Sequence, residues 1–133
     1  MPRTATGAPS WPKGFLGSLA HDDEYAVAAI AKTGSVRSLG VDIEPSAPLP
    51  NDLVDFVLQP SERQATEGDG LRRRLIFVAK EAVYKAIHPL DGTPLEYQDI
   101  EIDLAAWRAR IADGRTLALY ASERGRLVVV AIG

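Results

Sequence analysis

Residues 40–45 read Gly-Val-Asp-Ile-Glu-Pro, and this stretch decides the fold. It is a short apolar strand with carboxylates at alternate positions and a proline at its exit. Side chains alternate across a strand, so Asp42 and Glu44 project from one face while Val41 and Ile43 project from the other. The second deciding stretch is Phe-Val-Ala-Lys-Glu-Ala-Val-Tyr-Lys, residues 77–85. It belongs to an amphipathic helix over about 71–88, with Leu75, Ile76, Ala79, Ala82, Val83, Ala86 and Ile87 as its apolar stripe. Pro89 is expected to stop that helix. Its polar face carries Lys80, Glu81, Tyr84 and Lys85. Packed beside the strand, the helix brings three carboxylates (Asp42, Glu44, Glu81) next to two lysines.

Working outward, residues 1–14 are rich in Pro, Gly and Ser and read as an extended arm, with a single domain over 15–133. Residues 15–20 lead into a strand over about 25–32, and Gly34-Ser35 suits a hairpin turn into a strand over about 36–43. Pro45, Pro48 and Pro50 make a stiff loop. Short helical pieces follow over about 52–58 and from Ser61, broken by Gly68 and Gly70. Beyond the long helix, Tyr97–Asp103 reads as a strand. Two more strands, over about 115–122 and 126–132, meet at an Arg124-Gly125 turn. The order predicts an α+β fold: a largely antiparallel sheet with a long helix packed on it.

At 133 residues the chain is long enough for one domain with a real core and too short for two ordinary ones. The formal net charge of −3 gives no global field for nucleic acid or an anionic membrane. Cysteine is absent, which removes disulfides, thiolate metal sites and a cysteine nucleophile, and fits a reducing cytosol. A bilayer-spanning stretch and a secretory h-region are not expected. No Ser-His-Asp triad, P-loop or zinc spacing is present.

Three carboxylates in one place repel unless a cation sits between them. Oxygen-only ligands with lysines nearby suggest Mg²⁺ holding a phosphorylated substrate. Each part also has an ordinary reading. Asp42 and Glu44 would suit a solvated strand face, and Glu81 and Lys85 an exposed helical ion pair worth roughly 0.3–0.5 kcal/mol. His21 follows a Gly17-Ser18 turn whose N–H and hydroxyl suit a phosphate oxygen, although Asp22, Asp23 and Glu24 adjoin it. Arg72, Arg73 and Arg74 suit either a solvated helix start or an acidic partner surface; with no aromatic interleaving they do not suggest nucleic acid. His88 is placed to interact with the last helical carbonyls.

Three segments occur in a telling order: Trp-Pro-Lys-Gly-Phe-Leu-Gly-Ser-Leu-Ala-His (11–21), Gly-Val-Asp-Ile-Glu-Pro (40–45) and Phe-Val-Ala-Lys-Glu-Ala-Val-Tyr-Lys-Ala (77–86). Together they resemble the 4′-phosphopantetheinyl transferases, in particular the enterobactin-synthetase-component-D branch of the Sfp type. That family moves the phosphopantetheine arm of coenzyme A onto a serine of an acyl or peptidyl carrier protein and releases 3′,5′-ADP. The resemblance implies that Asp42, Glu44 and Glu81 hold Mg²⁺ and that Glu81 is also the candidate base. It implies that Lys85 contacts and stabilises the phosphate, with Lys80 a second cation, and that Ser18 and His21 touch the phosphates of coenzyme A. Phe77 stands where the family usually has Trp. Sfp-type enzymes have two similar halves, and this chain corresponds to one half plus the end of the other. Lys13 and Arg3 are the basic residues ahead of the Ser-His motif. A shortened chain that binds coenzyme A or a carrier without transfer, and a small enzyme completed by oligomerisation, are the alternatives. The carrier stays open among siderophore, polyketide, peptide and fatty-acid pathways.

Overall fold

A computed structural model describes residues 11–133; most of the expected N-terminal arm, with Arg3, lies outside the described residues. The strand quoted first becomes β3 (Leu39–Pro45), at the edge of a five-stranded sheet. The other members are β4 (Ile100–Asp103), β5 (Arg108–Ile111), β6 (Thr116–Ser122) and β7 (Arg126–Ile132). Their order is β3-β7-β6-β5-β4, antiparallel throughout. A separate hairpin joins β1 (Phe15–His21) to β2 (Ala26–Lys32). Between the sheet's two end strands run α1 (Val54–Val57), α2 (Pro60–Ala65) and the long α3 (Gly70–Asp91). The α+β expectation holds.

Register sorts the two faces of β3. Asp42 pairs with Val129, Gly40 with Ala131 and Glu44 with Leu127, and those β7 residues belong to the main core under α3. Val41 and Ile43 pack instead with Ala20, Val27, Ala29, Val128 and Val130, a second apolar cluster beneath the hairpin. The period-2 pattern of one strand therefore serves two layers. Every residue of the expected α3 stripe is buried. Asp69 caps the helix, its carboxylate accepting from Arg72 N–H at 3.0 Å.

Gly40 is where sheet and helix meet most closely. A Cβ there would stand 1.9 Å from the Ala82 carbonyl oxygen and 2.6 Å from Ala86 N, both backbone atoms of α3. Only a residue without Cβ lets the helix lie this near the strand.

Three expectations need correction, and one strand was not expected. The strand over 26–32 pairs back to β1 and not forward to β3, because Asp22 builds the connecting turn: its Oδ1 accepts from the N–H groups of Glu24 (2.8 Å) and Tyr25 (2.7 Å). Pro89 does not end α3, which runs to Asp91 and stops at left-handed Gly92 (φ 71). So close to the helix end, the proline's missing N–H forfeits one bond, to the Lys85 carbonyl. Tyr97–Asp99 forms a 3-10 turn before β4 begins. Strand β5 escaped the sequence reading because its alternation of exposed arginine with buried Ala109 and Ile111 spans four residues.

Candidate active site between the carboxylate strand and the long helix

The close packing at Gly40 brings Asp42 under the middle of α3. Lys85 Nζ donates to Asp42 Oδ1 at 3.0 Å. Asp42 is buried, and its other oxygen, Oδ2, has no hydrogen-bond partner. Burial pushes its carboxyl up to about 6, against the pull of Lys85, and the charges of Glu81 and Glu44 add to the rise. Glu44, half-buried, is raised too, by burial first; Arg74 opposes and Glu81 reinforces. The three expected carboxylates thus share one electrostatic neighbourhood.

Glu81 and Lys85 do not pair with each other, although they are four residues apart on one helix. Lys85 reaches down to the strand, and Glu81 Oε1 accepts the hydroxyl proton of Tyr97. The ordinary reading of an exposed helical ion pair is therefore set aside. As placed, no three acidic or histidine side chains among the described residues converge closely enough to hold a metal ion. The chemistry of the donors nonetheless fits a hard cation. A buried carboxylate oxygen without a partner, with two more carboxylates nearby, lacks positive charge.

Lys80 corrects the expectation that it is a second phosphate contact. It is fully buried, and its ammonium is consumed by Val57 O (2.7 Å), Glu62 Oε1 (2.6 Å) and Tyr97 O (2.9 Å). Burial lowers its pKa, opposed by Glu62. Glu62 in turn accepts from the N–H groups of Gln59 and Ile102, each at 2.7 Å. Two short helices, α3 and β4 are thereby tied at one point. The physical reason is helical phase: Lys80 follows Ala79 and precedes Ala82, both buried in the stripe.

The remaining expected residues divide. Ser18 is buried, and its hydroxyl accepts from Val41 N–H at 3.0 Å, joining the hairpin to the open edge of β3. Ser18 and Lys85 both line a cleft of about 500 Å³ between the hairpin and the C-terminal half of α3, together with Arg37, Tyr84 and His88. His21, three residues along β1, is exposed and does not line this cleft. The His88 ring stacks on Tyr84, centroids 5.1 Å apart. A smaller pocket of about 330 Å³ on the other side of Tyr84 is lined by Phe56, Glu81, Leu95 and Tyr97.

The arginine run is largely structural. Arg73 donates to Thr66 Oγ1 and Arg63 O, and Arg74 donates to Ala47 O, holding the Pro-rich loop. Sequence reasoning missed Gly40, Arg37 and Tyr97. Gly40 alone carried a signal, a glycine inside an otherwise apolar strand.

The chain matches the model of the 4′-phosphopantetheinyl transferase superfamily over residues 38–129 and that of the 4′-phosphopantetheinyl transferase N-terminal domain over residues 1–31. It is similar to 4′-phosphopantetheinyl transferase Svp of Streptomyces mobaraensis, 41% identical over 115 residues, which are 79% of this chain and 47% of that protein. It is also similar to 4′-phosphopantetheinyl transferase PptT of Mycobacterium tuberculosis, 38% identical over 84% of this chain and 55% of that protein. Enterobactin synthase component D of Salmonella typhi is 30% identical over 93% of this chain and 58% of that protein. The chain spans about half the length of the first two of these relatives. Among solved structures, the holo-[acyl-carrier-protein] synthase of Thermotoga maritima shares the fold, with a TM-score of 0.53 at 18% identity over 73% of this chain and 62% of that one. Since the superfamily model covers β3, α3 and most of the sheet between them, the chain belongs to the 4′-phosphopantetheinyl transferase superfamily.

Proposed function

We propose that this chain carries the site that transfers the 4′-phosphopantetheine arm of coenzyme A to a serine hydroxyl of an acyl or peptidyl carrier protein, with Mg²⁺, leaving 3′,5′-ADP. The observation that carries the reading is the buried, unpartnered Oδ2 of Asp42 beside Lys85, whose side chain also lines the cleft of about 500 Å³. Family membership supports the reaction class.

In this reading Asp42, Glu44 and Glu81 would hold Mg²⁺, which would supply charge neutralisation for the phosphates of coenzyme A. Lys85 leaves Asp42 for the phosphate that is attacked. Its side chain is only half-buried, so the change of partner needs no unfolding. Ser18 lies in the same cleft and has a hydroxyl proton left to donate, since its oxygen accepts from Val41. Arg37 and His88 supply further donors along the wall. Glu81 takes the proton of the carrier serine, directly or through a water. The serine oxygen forms a bond to the phosphorus bearing the pantetheine arm, and the bond from that phosphorus to the departing 3′,5′-ADP breaks. Phosphoryl chemistry of this kind depends on positioning and charge neutralisation, which these residues provide. Lys80 has no direct part in this scheme. His21, outside the cleft, has no part in this scheme. The setting is the cytosol, where coenzyme A and apo carriers meet; among the described residues no helix is long and apolar enough to cross a membrane.

Release of 3′,5′-ADP from coenzyme A, measured with and without an apo carrier, tests the proposal. Release that requires both carrier and Mg²⁺ is expected. Release without a carrier would instead mark a hydrolase and overturn it.

A further inference from the structure

Lys80 and Glu81 are adjacent on α3, and both hold Tyr97. The Lys80 ammonium, sealed in the core, donates to the Tyr97 backbone oxygen at 2.9 Å. Glu81 Oε1 accepts from the Tyr97 hydroxyl. The ring between these two ends is fixed by Phe56, edge-on at 5.3 Å, and by Phe77, tilted at 5.7 Å. Phe77 is the aromatic residue that opens the helix motif, three residues before Lys80. Tyr97, the first residue of the 3-10 turn Tyr97–Asp99, is thus held at its backbone, ring and hydroxyl.

We propose that Tyr97 is a positioning residue: its hydroxyl orients the Glu81 carboxylate toward Asp42, and the buried Lys80–Glu62 pair acts on the reaction by holding Tyr97 in place. This rests on the reading of Glu81 as a metal ligand and reacting group. Two features support it. Glu81 Oε2 receives no hydrogen bond from the described residues, so fixing Oε1 leaves one oxygen available. Second, a glutamate side chain has three rotatable bonds, and it would sample many orientations on a half-exposed helix face unless something held it. A catalytic group held loosely by even one ångström loses much of its effect. The pattern also gives the lysine of the helix motif a reason to be where it is without touching substrate.

The test is Tyr97→Phe, which removes one hydroxyl and leaves the ring packing, with Glu81→Gln as reference. Binding of Mn²⁺ is followed by electron paramagnetic resonance, with no coenzyme A present. Transfer is followed separately as kcat and KM. Tyr97→Phe is expected to weaken Mn²⁺ binding roughly tenfold, as loss of one hydrogen bond to a charged group. It should lower kcat by a similar factor, leave KM for coenzyme A unchanged, and keep the melting temperature within about 3 °C. Equal Mn²⁺ affinity and kcat in Tyr97→Phe and the parent chain would overturn the positioning role while leaving the metal site intact. Failure of the parent chain itself to bind Mn²⁺ would overturn the metal reading, and the positioning proposal with it.

Discussion

Lys85 Nζ stands 3.0 Å from Asp42 Oδ1, across 43 residues of chain and across the boundary between helix and sheet. The contact satisfies one oxygen of a buried carboxylate and leaves the other unpartnered. One flexible ammonium is therefore offsetting more negative charge than it can neutralise, with Glu44 and Glu81 close by. A site in this condition is electrostatically short of a cation, and the cost falls on the stability of the folded chain.

That cost has a pH signature. Asp42 releases its proton near 3.8 when unfolded, but only at about 6 when folded. A raised folded pKa contributes stability that is present below the unfolded value and lost as pH rises through the folded one. Asp42→Asn should therefore be more stable than the parent in EDTA at about pH 7.5, by roughly 1–3 kcal/mol, with the difference shrinking toward about pH 4. Urea denaturation at the two pH values checks this. A variant less stable than the parent at the higher pH would show that the Lys85 pair outweighs the desolvation.

The two lysines of the helix motif should behave oppositely. Lys80→Met strands Glu62 in the core, and loss of one partner of a buried pair costs roughly 3–5 kcal/mol. Lys85→Met faces the cleft and should cost about 1 kcal/mol or less, while weakening coenzyme A binding roughly tenfold or more. Thermal denaturation and calorimetric titration with coenzyme A separate the two effects. Similar stability losses in both variants would contradict the assignment.

Gly40→Ala tests how the site is assembled. Its Cβ would collide with α3 backbone that has no room to shift cheaply. A loss of about 2–4 kcal/mol is expected, together with weaker Mn²⁺ binding, because the helix carrying Glu81 and Lys85 must move away from Asp42. Unfolding curves and metal titration report the two consequences; unchanged values in both would mean that the close packing does not build the site.

The apolar stripe from Leu75 to Ile87 was legible in the sequence because helical periodicity is local, and the face of Asp42 and Glu44 was legible because strands alternate. What lay hidden was non-local. Lys80 reads as polar by type, yet its burial depends on Glu62, 18 residues earlier, in a segment that looks like an ordinary short helix. Tyr97 reads as the start of a strand, and nothing near it in the chain announces a hydroxyl bond to Glu81. Pairing of β2 with β1 depended on a turn built by Asp22, in competition with a Gly34-Ser35 turn that is equally plausible on composition. In each case the residue type was visible and its partner was not.

Movement of phosphopantetheine to a carrier by this chain is read from the intact mass of an apo carrier protein. The carrier is incubated with the chain, coenzyme A and Mg²⁺, with EDTA and Glu81→Ala as controls. A gain of one phosphopantetheine is expected, abolished by EDTA and reduced at least about 100-fold in rate by Glu81→Ala, while that variant keeps its fold. No mass gain, from a chain that still binds coenzyme A, would contradict the proposed transfer and leave a domain that recognises the substrate without transferring it.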